Sequence, residues 1–332
     1  MDIAKVDSIR NGGDDSTEAN ETERTGPPAC FGSALISSKV PRQCRKDGGD
    51  GLGVMLGIDE AGRGPVLGPM AYGAAYWSCA DDKYVSGMGF DDSKVLSSAH
   101  RDELFNRIDK TPQVGWVLRL ISARELSDKM CRKTPFSLNV ISHDAAAEMI
   151  KAVQEKGVRV TQVFVDTVGD PVFYQTRLEK EFGKDIKFVV AKKADSLYKT
   201  VSAASIIAKA SNTCWREIRS VTRDRIVDEW RWSEPNLEAD RTYGSGYPSD
   251  EKCKNWMRKN VDPVFGFPDI CRFSWGTTKE LLKTSGKKVD WEEEPDDTAA
   301  GMKSIESFMV QPKKKMRSNF FVARGLELVN TF

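Results

Sequence analysis

Histidine is nearly missing from this chain. Its 332 residues contain only His100 and His143, too few for a multi-histidine metal centre and a thin basis for histidine-dependent acid–base catalysis. The seven cysteines, at 30, 44, 79, 131, 214, 253 and 271, are scattered, odd in number and form no C-x-x-C pair. That pattern excludes a disulfide framework and a thiolate zinc site and fits reduced thiols. No apolar run approaches the roughly 20 residues needed to cross a bilayer. The N-terminus is polar and acidic, with no signal-peptide apolar core, so the expected setting is intracellular and reducing. No internal repeat is present, which excludes a solenoid or propeller. Net charge is also scarce, at +1, so a polyanionic partner would have to be met by local basic surface. With 39% hydrophobic and 30% charged residues the chain reads as globular, and its chemistry falls to carboxylates.

Residues 1–48 are rich in Asp, Glu, Ser, Thr, Asn and Gly and are expected to form a disordered extension, because they offer little apolar surface to offset ordering entropy. From 49 to 235 the pattern is that of an α/β domain. Strands are predicted at 52–59, 69–78 and 114–121, then a helix over 139–156 where Val140, Ile141, Ala145, Met149, Ile150 and Val153 keep helical spacing. Next come a strand over 161–166, a helix over 171–182, a strand over 186–190 and one long helical stretch from Ser196 to about Asp228. Together these predict a mixed five-stranded sheet flanked by helices. A helical region over 236–285 follows, with short helices near 249–260 and 277–284 behind a Gly/Tyr loop at 243–248. The tail, 286–332, loses periodicity and carries the acidic run Glu292-Glu293-Glu294 and the basic run Lys313-Lys314-Lys315-Met316-Arg317.

The chain is organised around Leu56-Gly-Ile-Asp59-Glu60-Ala-Gly62-Arg63-Gly64-Pro-Val-Leu-Gly68-Pro69, where an apolar strand ends in two carboxylates and a glycine-rich turn. Carboxylates suit a hard cation, arginine suits phosphate, and bare glycine amides can approach hydroxyl or phosphate oxygens. A lone Asp-Glu pair would more often cap a helix. A dinucleotide fingerprint is disfavoured because the third glycine stands at 68 rather than 67 and no helix pattern follows. Asp166 ends the apolar run Val163-Phe-Val165, where a buried carboxylate is costly unless a metal or other group pairs with it; a turn-forming Asp is the alternative. Asp195 follows a strand and precedes a helix, so N-capping is its alternative role.

The segment Asp59-Glu-Ala-Gly-Arg-Gly-Pro-Val-Leu-Gly-Pro69 resembles the signature of the type 2 ribonucleases H. Likeness extends over about 53–280 through Val163-Phe-Val-Asp-Thr-Val-Gly169, Lys193-Ala-Asp195 and Val201-Ser-Ala-Ala-Ser-Ile-Ile-Ala-Lys209, nearest to the eukaryotic branch. The resemblance implies a ribonuclease H-like α/β fold. It also implies a catalytic, metal-binding quartet of Asp59, Glu60, Asp166 and Asp195 holding two divalent ions, Mg²⁺ or Mn²⁺. Substrate-binding roles follow for Gly62, Arg63 and Gly64 through backbone contacts, and for Tyr247, in Tyr243-Gly-Ser-Gly-Tyr-Pro248, at the sugar after a ribonucleotide. Without the family, Tyr247 would read as a tyrosine packed on a glycine turn. Ser93 and Lys94, in Asp91-Asp-Ser-Lys94, match a family motif placed near the cut phosphate; a solvated turn opening a helix is the alternative. His143 is expected to be packed or exposed rather than catalytic.

The implied activity is endonucleolytic hydrolysis on the 5′ side of ribonucleotides in RNA–DNA hybrids and in duplex DNA, with roles in ribonucleotide excision repair and primer removal. A non-catalytic hybrid-binding scaffold and a transposase-like DNA nuclease are the rivals. All four carboxylates are present against the first; the Gly-Arg-Gly turn and Tyr247 weigh against the second. The family's eukaryotic catalytic chain works with two accessory subunits, and the apolar stretch 319–328 is the expected docking segment. The basic run 313–317 is a candidate nuclear-import signal. Lys303-Ser-Ile-Glu-Ser-Phe308 has a distant likeness to a sliding-clamp-binding peptide but lacks the leading glutamine and paired aromatics.

Overall fold

The computed structural model describes residues 23–24, 33–46, 53–90, 98–210 and 243–288. Seven strands form one sheet: β1 (Glu23–Arg24), β2 (Ala34–Ser37), β3 (Val54–Ala61), β4 (Met70–Ser78), β5 (Gly115–Ile121), β6 (Val160–Asp166) and β7 (Lys187–Ala191), in the order β1-β2-β5-β4-β3-β6-β7. Pairing is antiparallel from β1 through β3 and parallel across β3, β6 and β7. The helices are α1 (Asp82–Ser86), α2 (Ser98–Lys110), α3 (Ala123–Met130), α4 (Leu138–Glu155), α5 (Pro171–Phe182), α6 (Ala194–Leu197), α7 (199–210), α8 (Glu251–Lys259) and α9 (Gly276–Ser285).

Every residue of β4 is buried, because helices cover both faces of the sheet. On one face Leu56 and Ile58 of β3, Tyr72 and Tyr76 of β4 and Val163 and Val165 of β6 pack with Ile141, Ala145, Met149 and Val153 of α4. The opposite face sets Ala71, Ala75, Trp77, Trp116 and Leu118 against Leu104 and Ile108 of α2 and Ala203, Ala204 and Ile207 of α7. Helix α7 lies directly on the strand backbones. A Cβ at Gly57 would stand 2.2 Å from the Thr200 carbonyl carbon, and one at Gly73 2.4 Å from the Ala204 oxygen. Side chains alternate across a strand, so Asp59 faces α7 while Glu60 faces the α4 side.

The mixed sheet flanked by helices matches the fold expected from the sequence, extended at one edge. Within the stretch 1–48, Ala34-Leu-Ile-Ser37 pairs with β5 and Cys44 is buried, so disorder does not describe residues 33–46. Composition averaged over 48 residues masks a four-residue strand, and that strand covers what would otherwise be the open edge of β5. The single helical stretch from Ser196 is also corrected. α6 ends at Tyr198 (φ −124°, ψ 121°), whose ring stacks on Phe164 of β6 at 4.3 Å between centroids, and α7 starts anew. The N-capping alternative for Asp195 fails as well: Lys193, in the left-handed region (φ 57°, ψ 40°), is the N-cap residue, and Asp195 sits buried in the first turn. Helix α3 was missed although Ser122-Ala-Arg-Glu125 carries a capping signal, with the Ser122 hydroxyl accepting from the Glu125 N–H at 3.0 Å.

Candidate active site

Asp166 ends β6, and Asp59 stands near the end of the neighbouring parallel strand β3, just past its pairing with β6. The last paired residues there are Ile58 and Val165, so the two carboxylates stand one step further at the same level. Asp59 Oδ1 accepts the Glu60 N–H at 2.8 Å, and Asp166 Oδ1 accepts the Ala194 N–H at 3.0 Å. Burial raises the Asp59 pKa to about 6, with Asp166 adding to the rise, while the Ser205 hydroxyl and Lys209 of α7 oppose it. Glu60 is pushed up to about 8 by burial and then by Asp59 and Asp166, against Arg63 and Lys209. Its Oε2 is buried without a hydrogen-bond partner. The structure thus brings Asp59, Glu60 and Asp166 into mutual electrostatic contact and ties Asp195 to Asp166 through the adjacent amide of Ala194.

Carboxylates so close that Asp166 raises the proton affinity of both Asp59 and Glu60, with one buried oxygen left over, fit a hard divalent cation. Among the described residues no three carboxylate, imidazole or thiol groups close around one point, so a cation here would draw part of its shell from water or substrate oxygens. A linkage prediction follows for the metal-free protein. Asp59 and Glu60 both bind protons more tightly folded than unfolded. Their stabilising contribution is therefore full at about pH 4 and below, and is lost as pH rises through about 6 and then about 8. In chelator the melting temperature should fall across that window, less so in Glu60→Gln, and Mg²⁺ should restore more of it near pH 8 than near pH 5. Melting that is flat with pH and indifferent to Mg²⁺ would contradict this electrostatic account.

The turn after β3 is fastened to the C-terminal helical region. Val66 N–H donates to Gly246 O at 2.8 Å, Gly68 N–H to Ile270 O at 2.8 Å and Arg272 N–H to Val66 O at 2.9 Å. Val66 and Leu67 share an apolar cluster with Cys253 and Met257 of α8 and with Phe267 and Cys271. Tyr247 packs on Gly64, where a Cβ would stand 3.0 Å from its Cε1, and the ring is otherwise 46% exposed. Asp250 shapes the loop by accepting from the Ser245 N–H at 2.7 Å and hydroxyl at 2.8 Å. Arg63 turns inward, its guanidinium donating to Ser142 Oγ at 2.6 Å and to Asn139 Oδ1 of α4. Its side chain is thus committed to α4, which leaves the turn's backbone to face a ligand.

Ser93 and Lys94 lie outside the described residues, as do the 303–308, 313–317 and 319–328 segments of the tail. The residue just before the 91–94 motif is anchored: Phe90 O accepts from Ser202 Oγ at 2.9 Å and Lys199 Nζ at 3.1 Å, both on α7. His143 is buried and stacked on Tyr174 with centroids 3.7 Å apart, a packing role. Sequence reasoning missed Ser205 and Lys209, joined at 2.6 Å and set beside Asp59. Their spacing of four on a helix was the available signal. It also missed Arg272 and Trp275, for which the sequence offered none.

A family model described as Ribonuclease HII matches residues 56–278. The A-type polypeptide of the ribonuclease H2 of Homo sapiens is 40% identical over 314 residues, covering 93% of this chain and 98% of that protein. Among solved structures, the ribonuclease H2 of Pyrococcus horikoshii OT3 superposes with a TM-score of 0.56 at 28% identity, covering 70% of this chain and 98% of that one. Ribonuclease HII of Archaeoglobus fulgidus, solved in complex with PCNA, gives a TM-score of 0.52 at 28% identity over 68% of this chain and 96% of that one.

Proposed function

Because this chain belongs to the ribonuclease HII family, we propose that it is an endoribonuclease that hydrolyses the phosphodiester on the 5′ side of ribonucleotides, in RNA–DNA hybrids and at single ribonucleotides in duplex DNA. The observation that carries this reading is the meeting of buried Asp59 with half-buried Glu60 and Asp166 where β3 and β6 cease to pair, beside a glycine turn roofed by Tyr247. Two divalent ions, Mg²⁺ or Mn²⁺, held by Asp59, Glu60, Asp166 and Asp195 would supply an activated water and stabilise the leaving oxygen. Lys209 and Ser205 lower the proton affinity of Asp59, which favours the ionised carboxylate that a cation requires. Tyr247 and the amides of the 62–64 turn read the 2′-hydroxyl, the group that separates RNA from DNA at one nucleotide. Burial of Asp59 beneath α7 limits water around that carboxylate and strengthens its electrostatic interactions.

The same reading places the chain in the nucleus, in ribonucleotide excision repair and primer removal, with two accessory subunits. A near-neutral net charge supports the need for partners that add basic surface for a polyanion. The test is incision of a duplex carrying one ribonucleotide, with Mg²⁺ and with chelator. Metal-dependent cutting supports the proposal, and an intact duplex with a properly folded complex counts against it.

A further inference from the structure

Arg272 is fully buried, and among the described residues no carboxylate compensates its charge. Burial pulls its pKa down to about 9. A buried cation without a counter-ion is costly unless oriented dipoles replace the lost water. Here those dipoles come from the turn after β3. Nε donates to Gly68 O at 2.9 Å, Nη1 to Arg63 O at 3.0 Å, and Nη2 to Gly62 O at 2.6 Å and Pro69 O at 2.8 Å. The guanidinium lies over the Trp275 ring at 4.8 Å, and Trp275 Nε1 donates to Gly64 O at 3.2 Å.

Three successive carbonyls, of Gly62, Arg63 and Gly64, therefore point at one Arg–Trp pair. In a trans peptide the N–H points opposite to the C=O, so the N–H groups of Arg63 and Gly64 face away from that pair. No acceptor among the described residues takes either one. Lining up two adjacent donors is what a reader of a single hydroxyl requires, and a planar fork with five N–H groups can gather four carbonyls where an ammonium cannot.

We infer that Arg272, with Trp275, is the positioning residue of the ribose reader, holding the 62–64 backbone so that its amides face the substrate. The inference rests on the endoribonuclease reading and adds to it the source of single-ribonucleotide selectivity. A duplex with one ribonucleotide has one productive register, whereas a continuous hybrid offers a 2′-hydroxyl at every step. Loosening the turn should therefore harm the first substrate more.

The experiment compares wild type, Arg272→Lys and Trp275→Phe, each in the full complex, on both substrates. Arg272→Lys should lose roughly tenfold or more in kcat/KM on the single-ribonucleotide duplex, carried by kcat, and less than about threefold on the hybrid. Trp275→Phe, which keeps a ring under the guanidinium but removes the bond to Gly64, should show the same bias at smaller size. Equal fractional losses on both substrates, or no loss, would overturn the inference and leave Arg272 a staple of the fold. If Arg272→Lys gives no cooperative unfolding transition, Trp275→Phe decides alone. Failure of the wild-type enzyme to cut either substrate would instead bring down the endoribonuclease reading, and this assignment with it.

Discussion

Asp59→Asn should abolish cleavage, lowering kcat by roughly 1000-fold or more, while the dissociation constant for an RNA–DNA hybrid changes by less than about threefold. The carboxylate sits within β3, two residues before its end, and forms none of the turn that would bind substrate, so the groove survives its loss. Folding should survive too. Asn has the same shape, and the substitution removes one of the charges that raise the proton affinity of Glu60. The metal-free variant should accordingly melt no lower than wild type near pH 8, and should gain less stability from Mg²⁺. Gel cleavage, equilibrium binding and thermal unfolding, with and without metal, separate these effects. A variant that cuts at the wild-type rate would remove Asp59 from the chemistry. One that loses binding and stability together would mean that the residue is structural.

The second large effect is at Tyr247. Its ring is seated on Gly64, where even a Cβ would crowd it, and the residue remains about half exposed. Tyr247→Ala should lower kcat on a single-ribonucleotide duplex by roughly 100-fold, far more than it weakens binding, because an oriented contact at the reacting centre is spent on the transition state. Tyr247→Phe keeps the packing and removes the hydroxyl. If the hydroxyl links to the substrate, Phe should behave more like Ala than like wild type. Kinetics of both variants in which kcat is unchanged and only KM rises would show that the ring merely adds uniform binding.

Much of this architecture is legible in the sequence where the controlling contacts are local. Helix α5 is predicted at 171–182 and observed as Pro171–Phe182, because Asp170 caps it through the N–H groups of Val172 and Phe173 and Gly183 leaves it with φ 82°. The strand-end carboxylates and the glycine turn announce themselves for the same reason. What could not be read depends on distance along the chain. The break at Tyr198 comes from stacking on Phe164, a tertiary contact that overrides a helical pattern. Gly57 and Gly73 look like weak points in two strands until α7 is laid across them. Arg272 reaches carbonyls more than 200 residues earlier, and nothing in its neighbours distinguishes it from a surface arginine. The short strand β2 is hidden by its surroundings, and only the open edge of β5 explains its place.

The most direct test of the central claim is a sequencing gel of an end-labelled duplex with one ribonucleotide, run with Mg²⁺ beside an all-DNA control. The account predicts a single incision on the 5′ side of the ribonucleotide, leaving it at the new 5′-phosphate end, no cutting in chelator and an intact control. Cleavage of the control at a similar rate, or incision only within runs of about four or more ribonucleotides as expected of a reader of hybrid shape, would contradict it.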